Sequence, residues 1–345
     1  MNVGTGAAIF GCSGTTLGPD EAAFYRDADP FGFILFARNI DTPGQVRRLT
    51  AALRASVGRH APIFVDQEGG RVQRLRSPHW REWMAPLDCV SAVLATAKPG
   101  QGVAAAARAM WLRYRVIAAE LHAVGIDGNC APCLDVATDV THPFLKNRCY
   151  APDVASVVAY GRAVADAHLA GGVLPVVKHM PGHGRASGDT HHDLPTVTAD
   201  AATLEATDFA AFRALNDLPL AMTAHIVFSA YDTQPATCSA TMIKLIRESI
   251  GFQGLLMTDD IAMQALSGSH ADRTAAAIKA GCDLVLHCNG DLAARVTVAT
   301  AAGTMGPATL ARAVAALGWR HTPEPVDIAA CEAELSGLTG GNGHG

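Results

Sequence analysis

The sequence predicts an α/β fold, a single (β/α)8 barrel of TIM type with its working loops at the carboxyl ends of the strands. Three observations carry that expectation. Eight short apolar runs recur along the chain, longer helical patterns separate them, and polar residues gather just after the runs. The runs are continuous rather than alternating, as strands covered on both faces must be. A doubly wound open sheet is the competitor, but no G-x-G-x-x-G follows an early strand.

Taken in order, the strand candidates are Ala7–Phe10, Gly32–Phe36, Pro62–Val65, Gly128–Ala131, Leu174–Val177, Leu220–Thr223, Leu255–Thr258 and Leu284–Leu286. Between them, Thr42-Pro43 opens a helix that runs to about Val57, threonine serving as N-cap and proline as the first helical residue. Gly102–Val124 is alanine-rich, with Trp111, Leu112, Tyr114 and Ile117 at core-facing spacings. Further helices are expected at Pro152–Ala170, Ala201–Leu215, Thr241–Ile250, Ala271–Ala280 and Asp291–Ala302, with a closing helix at Pro307–Leu317. Residues 1–320 are assigned to the barrel. Residues 321–345 form a C-terminal extension with a short helix, Ile328–Leu335, and a Gly-rich tail expected to be disordered.

Composition narrows the function classes. Apolar residues make up 49% of the 345 and charged residues 17%, below a typical charged share of about 25%. The balance of 27 basic and 32 acidic residues gives a net charge of -5, against the basic stripe of a nucleic-acid binder. No stretch reaches the roughly 18 apolar residues of a membrane span. The first basic residue is Arg26, so the positive start of a secretory signal is missing and a cytoplasmic, monomeric enzyme is expected. Nine cysteines, mostly in apolar runs, suit reduced core thiols better than a disulfide framework. Cys130-Ala131-Pro132-Cys133 has C-x-x-C spacing, but without a second pair it reads as two core thiols on a strand.

The loops after the runs hold Ala37-Arg38-Asn39, Asp66-Gln67-Glu68, Asp135, Lys178-His179, His225, Asp259-Asp260 and His287-Cys288-Asn289. The densest stretch is Lys178-His179-Met180-Pro181-Gly182-His183-Gly184, with Asp189-Thr190-His191 a few residues on. Pro181 cannot donate, and Gly182, Gly184 and Gly188 tolerate left-handed geometry. His179, His183, His191 and His192 raise the question of a metal. The proline and glycine forbid the helix that would align the first two, and H-E-x-x-H is absent. General acid/base work is the stronger reading, with Asp189 holding one ring nitrogen of His191. Two adjacent aspartates after a buried strand repel each other and lose solvation. One of them can cap Ile261-Ala262-Met263 while Asp259 remains reactive toward an electrophilic carbon. In Asp66–Arg74, paired glycines stand beside acids and arginines. Asp66 can there accept two hydroxyl hydrogen bonds and Arg74 can offer paired donors, or the stretch is a turn with surface ion pairs.

Taken together, Asp66–Arg74, Asn147-Arg148 within Phe144–Tyr150, Lys178–Gly184, Gly188–His191, Ala221–Ser229, Thr258–Met263 and Ala280–Asn289 resemble glycoside hydrolase family 3, in particular its single-domain bacterial β-N-acetylhexosaminidases of peptidoglycan recycling. The resemblance implies a retaining exo-β-N-acetylglucosaminidase acting on N-acetylglucosaminyl-anhydro-N-acetylmuramic acid, with or without peptide. It implies Asp259 as nucleophile, His191 as acid/base and Asp189 as its orienting partner. Asp66, Arg74, Arg148, Lys178 and His179 would hold the sugar. Neither cofactor nor metal is implied, and the partner is a small sugar rather than nucleic acid or membrane. Met180 stands where the family usually has phenylalanine, a volume-tolerant change. A phosphorylase of the same family and a sugar-binding barrel without catalysis are the alternatives.

Overall fold

The computed structural model describes residues 1–186, 188 and 194–341, and in it the eight runs form one closed parallel barrel. In chain order the strands are β1 (Gly6–Gly11), β2 (Pro30–Leu35), β3 (Ile63–Val65), β4 (Gly128–Asn129), β5 (Leu174–Met180), β6 (Leu220–Thr223), β7 (Leu255–Asp260) and β8 (Leu284–His287). Each pairs with its sequence neighbours, and β8 closes on β1 with Ala8 opposite Val285 and Ile9 opposite Leu286. Nearly every strand residue is buried, which is why the runs are apolar throughout.

Helices α1 (Pro19–Ala28) and α2 (Pro43–Ser56) follow β1 and β2, while α3 (Pro86–Thr96) and α4 (Gly102–Ala123) follow β3. After β4 come α5 (Pro143–Lys146) and α6 (Val154–Ala170), and after β5 come α7 (Ala201–Ala206) and α8 (Asp208–Ala214). Helices α9 (Ala240–Glu248) and α10 (His270–Ala280) follow β6 and β7. The chain ends with α11 (Leu292–Ala302), α12 (Pro307–Leu317) and α13 (Ile328–Leu338). Thr42 caps α2 as expected, its hydroxyl accepting the Gln45 N–H.

Several expectations need correction. Strand β5 continues past Val177 through Lys178 and His179, because after an irregularity Met180 still pairs with Thr223. Strand β7 likewise includes both aspartates, with Asp260 opposite Leu286. Strand β4 stops at Asn129, since the Ala131 N–H turns back to the Asn129 carbonyl. Cys130 and Cys133 are therefore buried thiols beyond the strand rather than on it, and all nine cysteines are unpaired. The single helix expected at Ala201–Leu215 breaks at Thr207. There Thr207 and Asp208 turn to meet Arg185, whose Nε donates to Asp208 Oδ2 at 2.6 Å. Helix α6 starts at Val154 because Asp153 takes the cap, accepting the Ser156 N–H. Helix α13 runs three residues beyond Leu335, while residues 342–345 of the tail lie outside the described residues.

A local device shapes the loops around the barrel mouth. A short antiparallel hairpin, Gln67–Gly69 with Val72–Gln73, follows β3. Gly69 is left-handed there (φ +103°), and a Cβ would overlap the Arg113 guanidinium, so only glycine fits. Among the described residues no helix is long and apolar enough to cross a membrane.

Candidate active site

A cavity of about 400 Å³ opens where the loops after β2, β3, β4, β5, β7 and β8 converge, a size in the usual small-molecule range. Asp66, Arg74, Arg148, Lys178, His179 and Asp259 all line it. They come from residues far apart in the chain, brought together because a closed barrel turns every strand end toward one mouth. Asp189, His191 and His192 lie outside the described residues.

On one side of the cavity the charges form a closed set. Lys178 Nζ donates to Asp66 Oδ1 at 2.9 Å and lies 2.6 Å from Glu68 Oε1. Arg148 grips Glu68 with two bonds, Nε to Oε2 at 2.9 Å and Nη2 to Oε1 at 2.8 Å. Arg74 Nη2 donates to Asp66 Oδ2 at 3.2 Å, while its buried Nε has no partner among the described residues. Burial alone would raise the Glu68 carboxyl, but Arg148 and Lys178 outweigh it and hold it at about 2. Asp66 is likewise held well below the carboxylate range, burial being overcome by Lys178 and Arg74. Burial would lower Lys178, yet Asp66 and Glu68 raise it further, so it stays charged. These are buried or half-buried pairs, not the surface ion pairs of the plainer reading.

The aspartate pair at the end of β7 lines the same cavity, and the two carboxylates divide their work. Asp260 Oδ1 accepts the N–H groups of Ala262 (3.0 Å) and Cys288 (3.1 Å), and its Oδ2 accepts Asn289 Nδ2 at 3.3 Å. It is the capping member. Asp259 Oδ1 accepts the Asp260 N–H at 2.7 Å, and its Oδ2 has no hydrogen-bond partner among the described residues. Burial would raise the Asp259 carboxyl, but His225, His179, the Asp260 amide and Lys178 together set it below its ordinary value. Burial lowers the His225 imidazole, so its contribution weakens toward neutrality. An ionised carboxylate with one free oxygen at a cavity wall is equipped for nucleophilic attack.

Three polar residues past the runs, named in the sequence without a role, hold these groups in place. Glu68 is the buried counter-ion of Arg148 and Lys178. Asp135, fully buried, accepts the His183 N–H at 2.7 Å and the His179 N–H at 3.3 Å on Oδ1, and His179 Nδ1 at 2.7 Å on Oδ2. His225 Nε2 faces the Asp260 carbonyl at 3.1 Å and bears on the β7 turn. Asp135 and His225 stand among the polar residues past the strands that the sequence marks, but nothing local shows which groups they hold. Gly184 is needed for closeness rather than for left-handedness. A Cβ there would overlap the Val136 carbonyl, and the Thr141 hydroxyl donates to the Gly184 carbonyl. Gly182 does take positive φ (+150°).

Cys133, Asp135 and His179 are the described residues whose ligand-type atoms come close enough to share a metal, within 4.8 Å of one another. Asp135 already accepts hydrogen bonds from His179 and, at 3.2 Å, from the Cys133 thiol, which a metal would have to displace.

Comparison with known proteins adds an independent line. Residues 26–316 match the profile of the Glycosyl hydrolase family 3 N terminal domain. A beta-hexosaminidase of Alkalilimnicola ehrlichii is 36% identical over 289 residues, covering 82% of this chain and 81% of that relative. A beta-hexosaminidase of Xanthomonas campestris pv. campestris is 35% identical over 318 residues, covering 90% and 93%. Among solved structures, NagZ from Neisseria gonorrhoeae superposes with a TM-score of 0.83 at 28% identity over 98% of both chains. The same enzyme in complex with N-trifluoroacetyl-D-glucosamine superposes with a TM-score of 0.79 at 28% identity, covering 98% and 99%.

Proposed function

The chain belongs to glycosyl hydrolase family 3 and is a glycoside hydrolase of the β-N-acetylhexosaminidase type, and we propose that it removes terminal N-acetylglucosamine with retention. The observation that carries this reading is the ionised Asp259 carboxylate, one oxygen without a hydrogen-bond partner among the described residues, lining the same cavity as Asp66, Arg74, Lys178 and His179. The relative bound to an N-acylglucosamine analogue supports the choice of sugar.

In the proposed reaction the terminal sugar lies against the charged wall. Asp66 accepts its hydroxyls, Arg74, Arg148 and Lys178 donate to its oxygens, and His179 makes a further polar contact. Arg74 Nε, buried with no partner among the described residues, is a donor for which a ligand oxygen would supply the missing bond. Asp259 attacks the anomeric carbon and forms a glycosyl-aspartate ester as the aglycone oxygen departs. His191, oriented by Asp189, protonates that oxygen and then takes a proton from the water that hydrolyses the ester. Retaining glycosidases ordinarily use two carboxyl groups; here a histidine replaces the second, and an imidazole of ordinary pKa near 6.5 gives and takes protons near neutrality. The assignment of Asp189 and His191 rests on the sequence resemblance.

The natural substrate we propose is N-acetylglucosaminyl-anhydro-N-acetylmuramic acid, with or without its peptide, handled in the cytoplasm during peptidoglycan recycling. The test is to incubate the enzyme with a chromogenic N-acetyl-β-glucosaminide beside the matching glucoside, each with and without phosphate. Selective cleavage of the first to free N-acetylglucosamine is expected. Sugar 1-phosphate as product would mean a phosphorylase instead, and binding without turnover would mean a sugar-binding barrel.

A further inference from the structure

His179 is held by two partners that each permit only one kind of hydrogen bond. Its Nδ1 lies 2.7 Å from Asp135 Oδ2. Burial would raise the Asp135 carboxyl, but His179 and the bonds it receives hold it well below its ordinary value, so it is ionised and can only accept. The proton must therefore sit on Nδ1. The other ring nitrogen, Nε2, lies 3.5 Å from Arg148 Nη2. A guanidinium is always charged and can only donate, so a proton on Nε2 would face another donor and a cation. Both neighbours select the same arrangement, proton on Nδ1 and lone pair on Nε2, in a residue that lines the sugar cavity.

The orientation of Asp135 is itself fixed. Oδ1 accepts two main-chain N–H groups, from His179 and His183, which leaves Oδ2 for the ring and the Cys133 thiol. We propose that Asp135 is a positioning residue that locks His179 as a hydrogen-bond acceptor, so that the site selects a sugar hydroxyl donating to Nε2. The proposal rests on the sugar-site reading above and deepens it, since a polarity is now attached to one contact. A hydroxyl can donate there, whereas a fluorine of similar size cannot, and a site group left unpaired makes such discrimination large.

Asp135→Asn tests this without changing the volume of the side chain. The two main-chain N–H groups keep the amide oxygen in the Oδ1 position, so the NH2 faces His179 Nδ1 and donates to it. The ring proton is then driven to Nε2, which becomes a donor. Chromogenic N-acetyl-β-glucosaminides carrying fluorine in place of the 3-, 4- or 6-hydroxyl group are compared with the unmodified substrate. At one of these positions the wild-type enzyme is expected to lose at least tenfold in kcat/KM. In the Asn variant that ratio falls toward one, while kcat/KM for the unmodified substrate drops by tenfold or more and the melting temperature stays close to the wild-type value.

Unchanged fluorine penalties at all three positions, or full activity of the Asn variant, would overturn the proposal. Nitrogen NMR of wild-type protein with isotopically labelled histidine gives a reading that needs no stable Asp135 variant. The His179 ring, assigned by its loss in His179→Asn, is expected to show a protonated Nδ1 and a bare Nε2; a proton on Nε2 defeats the idea. Failure of the wild type to cleave any glucosaminide counts against the sugar reading alone, because the NMR result decides the tautomer by itself.

Discussion

Asp259 and Asp260 are neighbours with unlike duties, and the difference lies in what reaches each oxygen. Asp260 spends both oxygens on Ala262, Cys288 and Asn289, and burial raises its carboxyl, whereas Asp259 is held low with one oxygen unpartnered among the described residues. Asp259→Asn keeps the Asp260 amide bond and the shape of the turn while removing the nucleophile. Turnover of the chromogenic substrate is expected to fall by about 10³-fold or more, as when a reacting group is removed, with an unchanged thermal midpoint. Near-normal activity would sink the assignment. The sign of the pH effect follows from the same residue. A nucleophile must be ionised, and its folded value lies below the ordinary 3.8, so loss of the attacking form belongs below pH 3.8. The acid limb of kcat/KM due to Asp259 is therefore expected below that pH, provided the protein is still folded there; a limb centred at 5 that vanishes in a carboxylate-free background would contradict it.

At the scale of elements, the strands were legible because burial on both faces demands unbroken apolar runs, and all eight runs are strands of the barrel. What escaped prediction is where charged residues continue a strand. Lys178 and His179 do not look like strand, yet they complete β5 because buried acids receive their side chains: Asp66 and Glu68 for the lysine, Asp135 for the histidine. The missed helices α1, α3 and α5 all begin with proline and lack the long apolar periodicity that marked α4. Asp66, Arg74, Lys178 and Asp259 stood out as polar groups beside strands, whereas Glu68 and Asp135 carry no local sign of a partner some 80 or 44 residues away in sequence. The segment after β5 is pinned at Gly184, where the chain passes against Val136 too closely for any side chain. Gly184→Ala is expected to destabilise the protein by roughly 1–3 kcal/mol, the usual cost of overpacking, in urea titration. It should also lower kcat/KM, since Asp189 and His191 follow within a few residues; wild-type stability and activity would show that this close approach is not maintained.

Across the whole molecule, the charged wall ties together parts of the barrel that the backbone leaves independent. Asp66 and Glu68 follow β3, Arg148 lies in the connection after β4, and Lys178 belongs to β5. Removing Arg148 strands a buried carboxylate with Lys178 as its one remaining ion-pair partner among the described residues, and breaking a buried pair in this way costs about 3–5 kcal/mol. Arg148→Met is therefore expected to lose stability of that order at pH 7, read from urea midpoints and slopes. Acid should narrow the gap. The folded Glu68 carboxyl sits at about 2 against an ordinary 4.5, a depressed value, so its contribution is fully present above pH 4.5 and is lost as pH falls through the folded value. In wild type, stability should thus hold between pH 7 and 5 and decline below. In Arg148→Met part of the depression is already gone, so protonation of Glu68 comes earlier and relieves the stranded charge. The two denaturation curves should converge between pH 4.5 and 3. A constant separation over that range would mean that Arg148 stabilises the barrel by packing its guanidinium against its neighbours, not by neutralising Glu68.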